Sequence, residues 1–523
     1  MNDSRPGIIP LTRRALIGGA VALAGAPAIL RAQQLFTAYP FRLGIAAGEP
    51  AANGFVIWTR LAPEPLAEHG GMPMQLVSVD WQVASDDRFA TIVAKGSALA
   101  RPELAHSVHV EVDGLLPDRQ YWYRFTVGRE RSIAGRARTL PMAGAPLDHL
   151  RFAVAGCQNY EDGLFTAYRH LAQEDAAFVF HYGDYIYEGR SSPISMGYDG
   201  KPRRFVRAHE GQLLFDLNDY RRRYAQYKMD TDLQAAHAAA AWFATFDDHE
   251  VENNWTGDTD QENDPPEIFA LRRAAAFQAY YEHMPFRRAS FPGPNGMQIH
   301  RRATIGNLVD LHLLDTRQFR TDQPCGDGFK PFCKGESDPA AQVMGVTQEA
   351  SLNAAFKQRS ARWNAVAQQV MMMPLDRRIG DEPSPIRNMD SWAGYDVPRE
   401  RMLKQFGQLN NVVVLTGDEH QNYAGELRTH GGAGDPVAVE FVGTSISSGG
   451  DGADRRAGTE RIIAGNPFLH YTNDRRGFLM CDVSPQRWQT QFRTIDRVSV
   501  PDAPIKTAAT AVVEFGRPSL SIS

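Results

Sequence analysis

Five apolar runs in this chain each stop at a cluster of residues able to bind a metal or a phosphate. The clearest, Ala176-Ala177-Phe178-Val179-Phe180, leads into His181-Tyr182-Gly183-Asp184-Tyr185-Ile186-Tyr187-Glu188. The others end in Gly156-Cys157-Gln158, Asp247-Asp248-His249-Glu250, Asp315-Thr316-Arg317 and Gly417-Asp418-Glu419-His420. Short apolar runs of this kind suit strands covered on both faces. In open α/β sheets, ligands bind beyond the carboxyl ends of such strands. One Gly-Asp would mean little. Five comparable strand ends predict a metal centre fed by several strands.

The order of elements sets the fold class. From about Pro40 to Leu140 short alternating segments dominate, such as Ser78–Ala84, Ser107–Val112 and Tyr121–Val127, with Leu115-Leu116-Pro117-Asp118 breaking the chain. This predicts an all-β sandwich over 40–140. The pattern resembles a fibronectin type III or purple-acid-phosphatase-like module and carries no catalytic chemistry. Pro141 to Pro146 reads as a linker. From Leu150 onward strands alternate with helices, which implies a layered α/β core with flanking helices. Helices are expected at 163–174, 232–240, 267–283 and 351–365, a buried strand at 366–373, and a hairpin-like pair at 477–483 and 488–495. The expected division is 1–32 signal, 40–140 sandwich, 150–500 catalytic domain and 501–523 carboxyl-terminal tail.

At 523 residues more than one core is expected. A formal charge of -5 gives no electrostatic reason to expect a nucleic-acid partner. Thr12-Arg13-Arg14-Ala15-Leu16 precedes an uncharged stretch from Ile17 to Leu30. A twin arginine ahead of a short Gly/Ala-rich apolar segment reads as a twin-arginine signal, against an ordinary signal peptide or an anchor. Export machinery for folded cargo, a periplasmic or secreted destination, and no stable membrane insertion after signal removal follow as expectations. A chain folded before export can load its metal in the cytoplasm. In an oxidising compartment Cys325 and Cys333 are expected to pair across a short Gly/Pro-containing loop, contributing about 2–3 kcal/mol. Cys481 reads as a buried small hydrophobe. Cys157 is either a metal ligand or a packed thiol, and its place in a motif favours the ligand.

A two-metal hydrolase needs a bridging carboxylate, outer ligands for each ion and a donor for the leaving oxygen. Asp184 suits the bridge, since its two oxygens can serve two ions. Tyr187 could curl back as a phenolate ligand, which only a strongly Lewis-acidic ion such as Fe3+ would favour; its alternative is a packing aromatic. Cys157 and His420 add soft and borderline donors, whereas Asp247, Asp248, Asn253 and Asp418 add hard oxygens suited to Ca2+ or Mg2+. His249 follows two carboxylates that raise its pKa, making it a candidate general acid, or else a helix cap. Arg317 could clamp phosphate oxygens bidentately or sit in a structural ion pair. There is no Gly-x-Ser-x-Gly elbow and no His-Glu-x-x-His, so the commonest serine-esterase and zincin readings lose support, and there is no P-loop or Gly-x-Gly-x-x-Gly opening a βαβ unit.

Taken together, Gly156-Cys-Gln-Asn-Tyr160, His181-Tyr-Gly-Asp-Tyr-Ile-Tyr-Glu188, Asp247-Asp-His-Glu-Val-Glu-Asn-Asn254, Leu314-Asp-Thr-Arg-Gln318, Thr416-Gly-Asp-Glu-His-Gln421 and Gly443-Thr-Ser-Ile-Ser-Ser-Gly-Gly450 resemble the PhoD family of alkaline phosphatase/phosphodiesterases. These are relatives of the calcineurin-like metallophosphoesterases, and the motifs cover nearly the whole chain in order. The resemblance implies a secreted enzyme that cleaves small phosphate mono- and diesters by attack of a metal-bound hydroxide. It implies Fe3+ on Cys157, Asp184, Tyr187 and His420. It implies Ca2+ on Asp184, one or both of Asp247 and Asp248, Asn253 and Asp418, with His249 near the phosphate. Glu419 departs from the family pattern and lies between two implied ligands. A phospholipase D-type diesterase on the same fold and a non-catalytic cell-surface binding protein are the rival readings.

Overall fold

Two large β-sheets meet face to face in the computed structural model, which describes residues 36, 38–192, 194–196, 202–409 and 411–523. The expected signal segment, 1–32, lies outside the described residues. The first sheet has ten strands. At its centre Leu150–Ala155, Phe178–His181, Ala241–Ala244 and Ile45–Ala51 run parallel. The second has seven strands, with Val309–Leu313, Trp363–Ala367, Val412–Thr416 and Pro436–Val442 parallel at its centre.

Alternation along the central strands explains why they read as unbroken apolar runs. Phe152, Val154, Phe178 and Phe180 point between the sheets, where they meet Leu311, Leu313, Val413, Leu415, Val439 and Phe441. Ala153, Ala155, Val179 and Trp242 point the other way, under Tyr220, Tyr224, Leu233 and Phe277. Those residues come from the helices Leu217–Lys228, Thr231–Ala239 and Pro266–His283. Asp216 and Asp230 start the first two by accepting hydrogen bonds from the backbone N–H groups of the first turn. The outer face of the seven-stranded sheet is covered in the same way by Leu352 and Phe356 of Val346–Gln358 and by Met402, Leu403 and Phe406 of Asp396–Phe406. Both faces of each central strand are therefore dry. Truncating a buried ring such as Phe180 to Ala would cost about 3–5 kcal/mol.

Three expectations about organisation are revised. The amino-terminal β module does form a sandwich, with Val77, Val79, Tyr123 and Phe125 packed on Phe55, Ile57, Val108 and Val110. One of its two sheets is continuous with the catalytic sheet, because Ala47 and Gly48 pair in register with Ala241 and Trp242. Residues 501–523 do not form a tail: Ile505–Glu514 and Leu520–Ile522 extend the ten-stranded sheet, antiparallel to Arg487–Ile495 and to each other. Inward-facing Ala509, Ala511 and Val513 account for that. Finally, the strand expected at 366–373 runs only Trp363–Ala367. Met372 and Met373 donate their N–H groups to the buried Glu440 carboxylate, at 2.7 and 2.8 Å, instead of to a neighbouring strand. Cys325 and Cys333 are joined by a disulfide, as expected. Among the described residues no helix is long and apolar enough to cross a membrane.

Candidate metal centre

The carboxyl ends of parallel strands from both sheets converge on one spot. Leu150–Ala155 delivers Cys157, Phe178–His181 delivers Asp184, Ala241–Ala244 delivers Asp247 and Asp248, and Val412–Thr416 delivers Asp418 and His420. The strand ends are stitched to each other: Cys157 N–H donates to Gly183 O at 3.0 Å, and Ile446 N–H donates to Gly156 O at 3.0 Å. Cys157, Asp184, Asp418 and His420 all hold left-handed backbone angles, with φ between 51° and 65°. For non-glycine residues such angles cost on the order of 1–3 kcal/mol each and persist only where the surroundings enforce them. Part of the enforcement is the Tyr182 ring. It lies where a side chain on the residue before Cys157 or Asp418 would go: a Cβ added to Gly156 or Gly417 would sit 2.2 or 2.1 Å from it. The Tyr182 hydroxyl donates to Thr444 O.

Donor atoms of Cys157, Asp184 and His420 lie within 4.8 Å of one another, as do those of Asp184, Asp247, Asp248 and Asp418, and those of Asp184, Asp248 and His249. Asp184 belongs to all three groups. Tyr187 does curl back: its hydroxyl donates to Asp184 Oδ2 at 2.8 Å, lies 3.1 Å from His420 Nε2, and accepts from Ser448 Oγ at 2.7 Å. The packing alternative for this tyrosine therefore loses to a polar role. His249 is no helix cap, since its Nδ1 donates to Glu188 Oε2 at 2.7 Å and its ring lies against that of Tyr187, centroids 4.1 Å apart and tilted by 31°.

Two sequence readings need correction or qualification. Arg317 is fully buried and its guanidinium is consumed by carboxylates: Nε donates to Asp247 Oδ1 at 2.6 Å and Nη1 to Asp390 Oδ1 at 3.0 Å. It is a structural ion-pair residue holding Asp247, not a clamp on a substrate in the cleft. Asn253 is held away from the clustered aspartates by its own hydrogen-bond donors: its Nδ2 donates to Gln261 Oε1 at 2.8 Å and its N–H to Glu188 Oε1 at 2.9 Å. The unusual Glu419 pairs with Arg377 and is not among the clustered donors.

Several working residues were missed. Glu250 is buried at the hub, accepting from Asp184 N–H at 3.1 Å, Asp247 N–H at 2.9 Å and Tyr185 N–H at 2.6 Å. One carboxylate thereby sets the spacing of two strand ends. Its place in Asp-Asp-His-Glu was the signal available. Glu188 lay in the leading motif but had no role until His249 was seen against it. Asp390, which binds both Arg317 and Arg320, follows the short strand Ile386–Asn388, in a polar stretch with no apolar run to mark it.

The electrostatics ask for cations. Burial, then Asp248, pushes the Asp184 carboxyl up to about 7, and burial pushes Asp247 up to about 8 against the pull of Arg317. Asp418 rises well above the carboxylate range through burial and its neighbours Asp247 and Asp248. Asp248 moves down, because His249 and Arg317 outweigh its burial. Burial, then Asp184 and Asp418, raises the Cys157 thiol. Burial disfavours a charged His249, yet Glu188, Asp248 and Asp184 together hold its pKa well above the ordinary value. Asp184 Oδ1 and Asp248 Oδ1 are buried without a hydrogen-bond partner among the described residues. Four clustered carboxylates against Arg317 and His249, with orphaned oxygens and a thiol among them, fit bound metal ions and little else.

A cleft of about 580 Å³ opens onto this cluster, lined by Tyr187, His420, Asn159, Asp162 and Arg203 among others. Comparisons with known proteins agree with this geometry. The family described as PhoD-like phosphatase matches residues 152–492, and its N-terminal domain matches 25–141. Alkaline phosphatase D of Bacillus subtilis (strain 168) is 46% identical over 484 residues, 92% of this chain and 82% of that protein. A solved structure of PhoD superposes with a TM-score of 0.89 at 45% identity, covering 93% of this chain and 92% of the other. The purple acid phosphatase PPD1 from yellow lupin seeds shares the fold alone, with a TM-score of 0.52 at 9% identity over 90% of this chain and 74% of its own. Motifs, fold, strand-end cluster and full-length likeness agree, and the chain belongs to the PhoD-like phosphatase family.

Proposed function

We propose that this protein is an exported alkaline phosphatase/phosphodiesterase that hydrolyses small phosphate mono- and diesters at the Asp184 cluster. The observation that carries the reading is the convergence of Cys157, Asp184, Asp247, Asp248, Asp418 and His420 at strand ends, beside a His249 whose pKa is raised by Glu188 and two aspartates, with His420 and Tyr187 opening onto a cleft. Cys157, Asp184, Tyr187 and His420 would hold Fe3+, because thiolate, phenolate and imidazole suit it. Asp184, Asp247, Asp248 and Asp418 would hold Ca2+, with Asp184 shared. Bound there, the cations supply Lewis acidity that polarises the phosphoryl oxygens and lowers the pKa of water.

The chain's own residues do the rest. Asp184 Oδ2 faces the Tyr187 hydroxyl and His420, while its Oδ1 has no hydrogen-bond partner among the described residues. Burial keeps His420 neutral, its pKa down at about 3, so its Nε2 lone pair is available as a donor. Arg317 holds Asp247 in one orientation, and Arg320 holds Asp390 behind it. Glu188 fixes His249 through Nδ1 and favours its charged form. The imidazolium can then give a proton to the departing alkoxide, contributing typically 10²–10⁴-fold. Arg13 and Arg14 support export in the folded state, and the Cys325–Cys333 disulfide agrees with an oxidising destination.

The test is to assay the purified protein on p-nitrophenyl phosphate and bis(p-nitrophenyl) phosphate and to measure its metal content. Turnover of both esters with iron and calcium bound is the expected result. Full activity without iron would overturn the roles of Cys157 and Tyr187, and absence of turnover would overturn the function.

A further inference from the structure

Beside the cleft lies a second groove, of about 470 Å³, whose surface is mostly apolar although arginines and Asp474 contribute to its lining. The two cavities share Arg203, Gly449 and Gly452 as lining, so they form one continuous depression. His420 lines the first and the adjacent Gln421 lines the second, so the groove starts one residue from a proposed ligand. One wall is the disulfide-closed segment whose strand Phe329–Pro331 pairs antiparallel with Ile386–Asn388. Phe329 is 62% exposed and Ile379 is 63% exposed, although both face the groove. Ile379 rests on Gly458, where an added Cβ would come within 2.7 Å of its side chain, and Ile462 lies on the same wall. The cations nearby are already partnered: Arg377 with Glu419, Arg455 with Glu460, and Arg456 with Asp474. Arg203, at the mouth shared with the cleft, donates to Gly449 O at 3.2 Å. Beyond that mouth the groove offers a ligand mostly apolar surface, with Arg377, Arg455 and Arg456 in ion pairs.

We propose that this groove is a subsite for an uncharged, apolar alcohol arm of a phosphodiester whose phosphorus sits at the Asp184 cluster. The inference rests on the hydrolase reading above and deepens it. An exposed Phe and Ile beside a cleft gain by covering apolar ligand surface, whereas a charged arm would have to displace an existing ion pair or be desolvated without one. The role of Glu419 follows: it holds Arg377 and removes a cation that would otherwise favour anionic arms.

The experiment compares diesters with one leaving group and different retained arms: methyl, hexyl and 5-carboxypentyl p-nitrophenyl phosphate, below any micelle concentration. In each, water supplies the oxygen that replaces p-nitrophenolate on phosphorus, and the other alcohol stays on the monoester. For the native protein kcat/KM should be at least about tenfold higher for the hexyl than for the methyl ester. The carboxypentyl ester should show no such advantage. In Phe329→Ser and Ile379→Ser the hexyl-to-methyl ratio should fall to about two or less, with methyl-ester turnover serving as the control for an intact fold. A native ratio near one, or a ratio the two variants leave unchanged, overturns the subsite while leaving the hydrolase reading standing. Failure to hydrolyse any of the three overturns both.

Discussion

Asp184 divides the metal centre into two halves built on opposite principles. On one side stand Cys157, Tyr187 and His420; on the other, Asp247, Asp248 and Asp418. The first half is quiet without a cation. Its thiol and phenol are raised and its imidazole is lowered by burial, so each is neutral, and Ser448 and Asp184 satisfy the Tyr187 hydroxyl. The second half is frustrated without a cation. Its three carboxylates crowd one another, offset chiefly by Arg317 and His249 among the described residues. The first half must lose protons to take a metal, and the second must keep from gaining them. Cations therefore serve the first half as a source of ligand acidity and the second as structural glue.

The largest effect should come from the residue common to both halves. Asp184→Asn should lower phosphatase kcat by about 10³-fold or more and deplete both metals together. Depletion of one metal alone, in a folded variant, would break the shared-ligand view.

Next comes the pH dependence of the metal-free protein. Folded Asp184 and Asp247 bind protons up to about 7 and about 8, whereas unfolded carboxyls do so only to about 4. The folded state thus binds more protons across that window. Its stability from these groups is full below about pH 4 and is lost as pH rises through 7 to 8. Thermal melts of chelator-stripped protein should show Tm falling by several degrees from pH 5 to pH 8, and metal-loaded protein should not show that fall. A Tm that rises over this range after stripping would contradict the frustrated half.

Single-side variants should separate the halves more gently. Tyr187→Phe should cost about 10–100-fold in activity, lower the iron content and abolish a visible phenolate-to-iron absorption while leaving calcium in place. Asp418→Asn should do the reverse to the metals. The smallest effect is expected at the hub: Glu250→Gln turns an NH2 group towards backbone N–H donors. It should cost about 1–3 kcal/mol of stability, read as a Tm lower by a few degrees.

Much of this centre was legible along the chain because metal ligands must sit at strand ends, and strand ends are visible where an apolar run stops. Cys157, Asp184, Asp247, Asp248, Asp418 and His420 all announced themselves that way, and Tyr187 did so by its offset of three from Asp184. Arg317 shows the limit. Its place after a strand was readable, but whether a guanidinium faces a cleft or a buried acid depends on Asp390, which is 73 residues away. The same applies to Tyr182, whose packing against Gly156 and Gly417 joins three distant segments.

By itself the sequence determined the covered strands, the helices between them, the layered α/β class and the donor types, since those follow from local apolar periodicity and side-chain chemistry. Tertiary structure alone decided that the amino-terminal module shares the catalytic sheet, that residues 501–523 close its edge, that Glu250 and Glu188 organise the ligands, and that an apolar groove runs beside them. Each of these depends on which distant backbone edges and carboxylates meet, and no local pattern encodes a meeting of that kind.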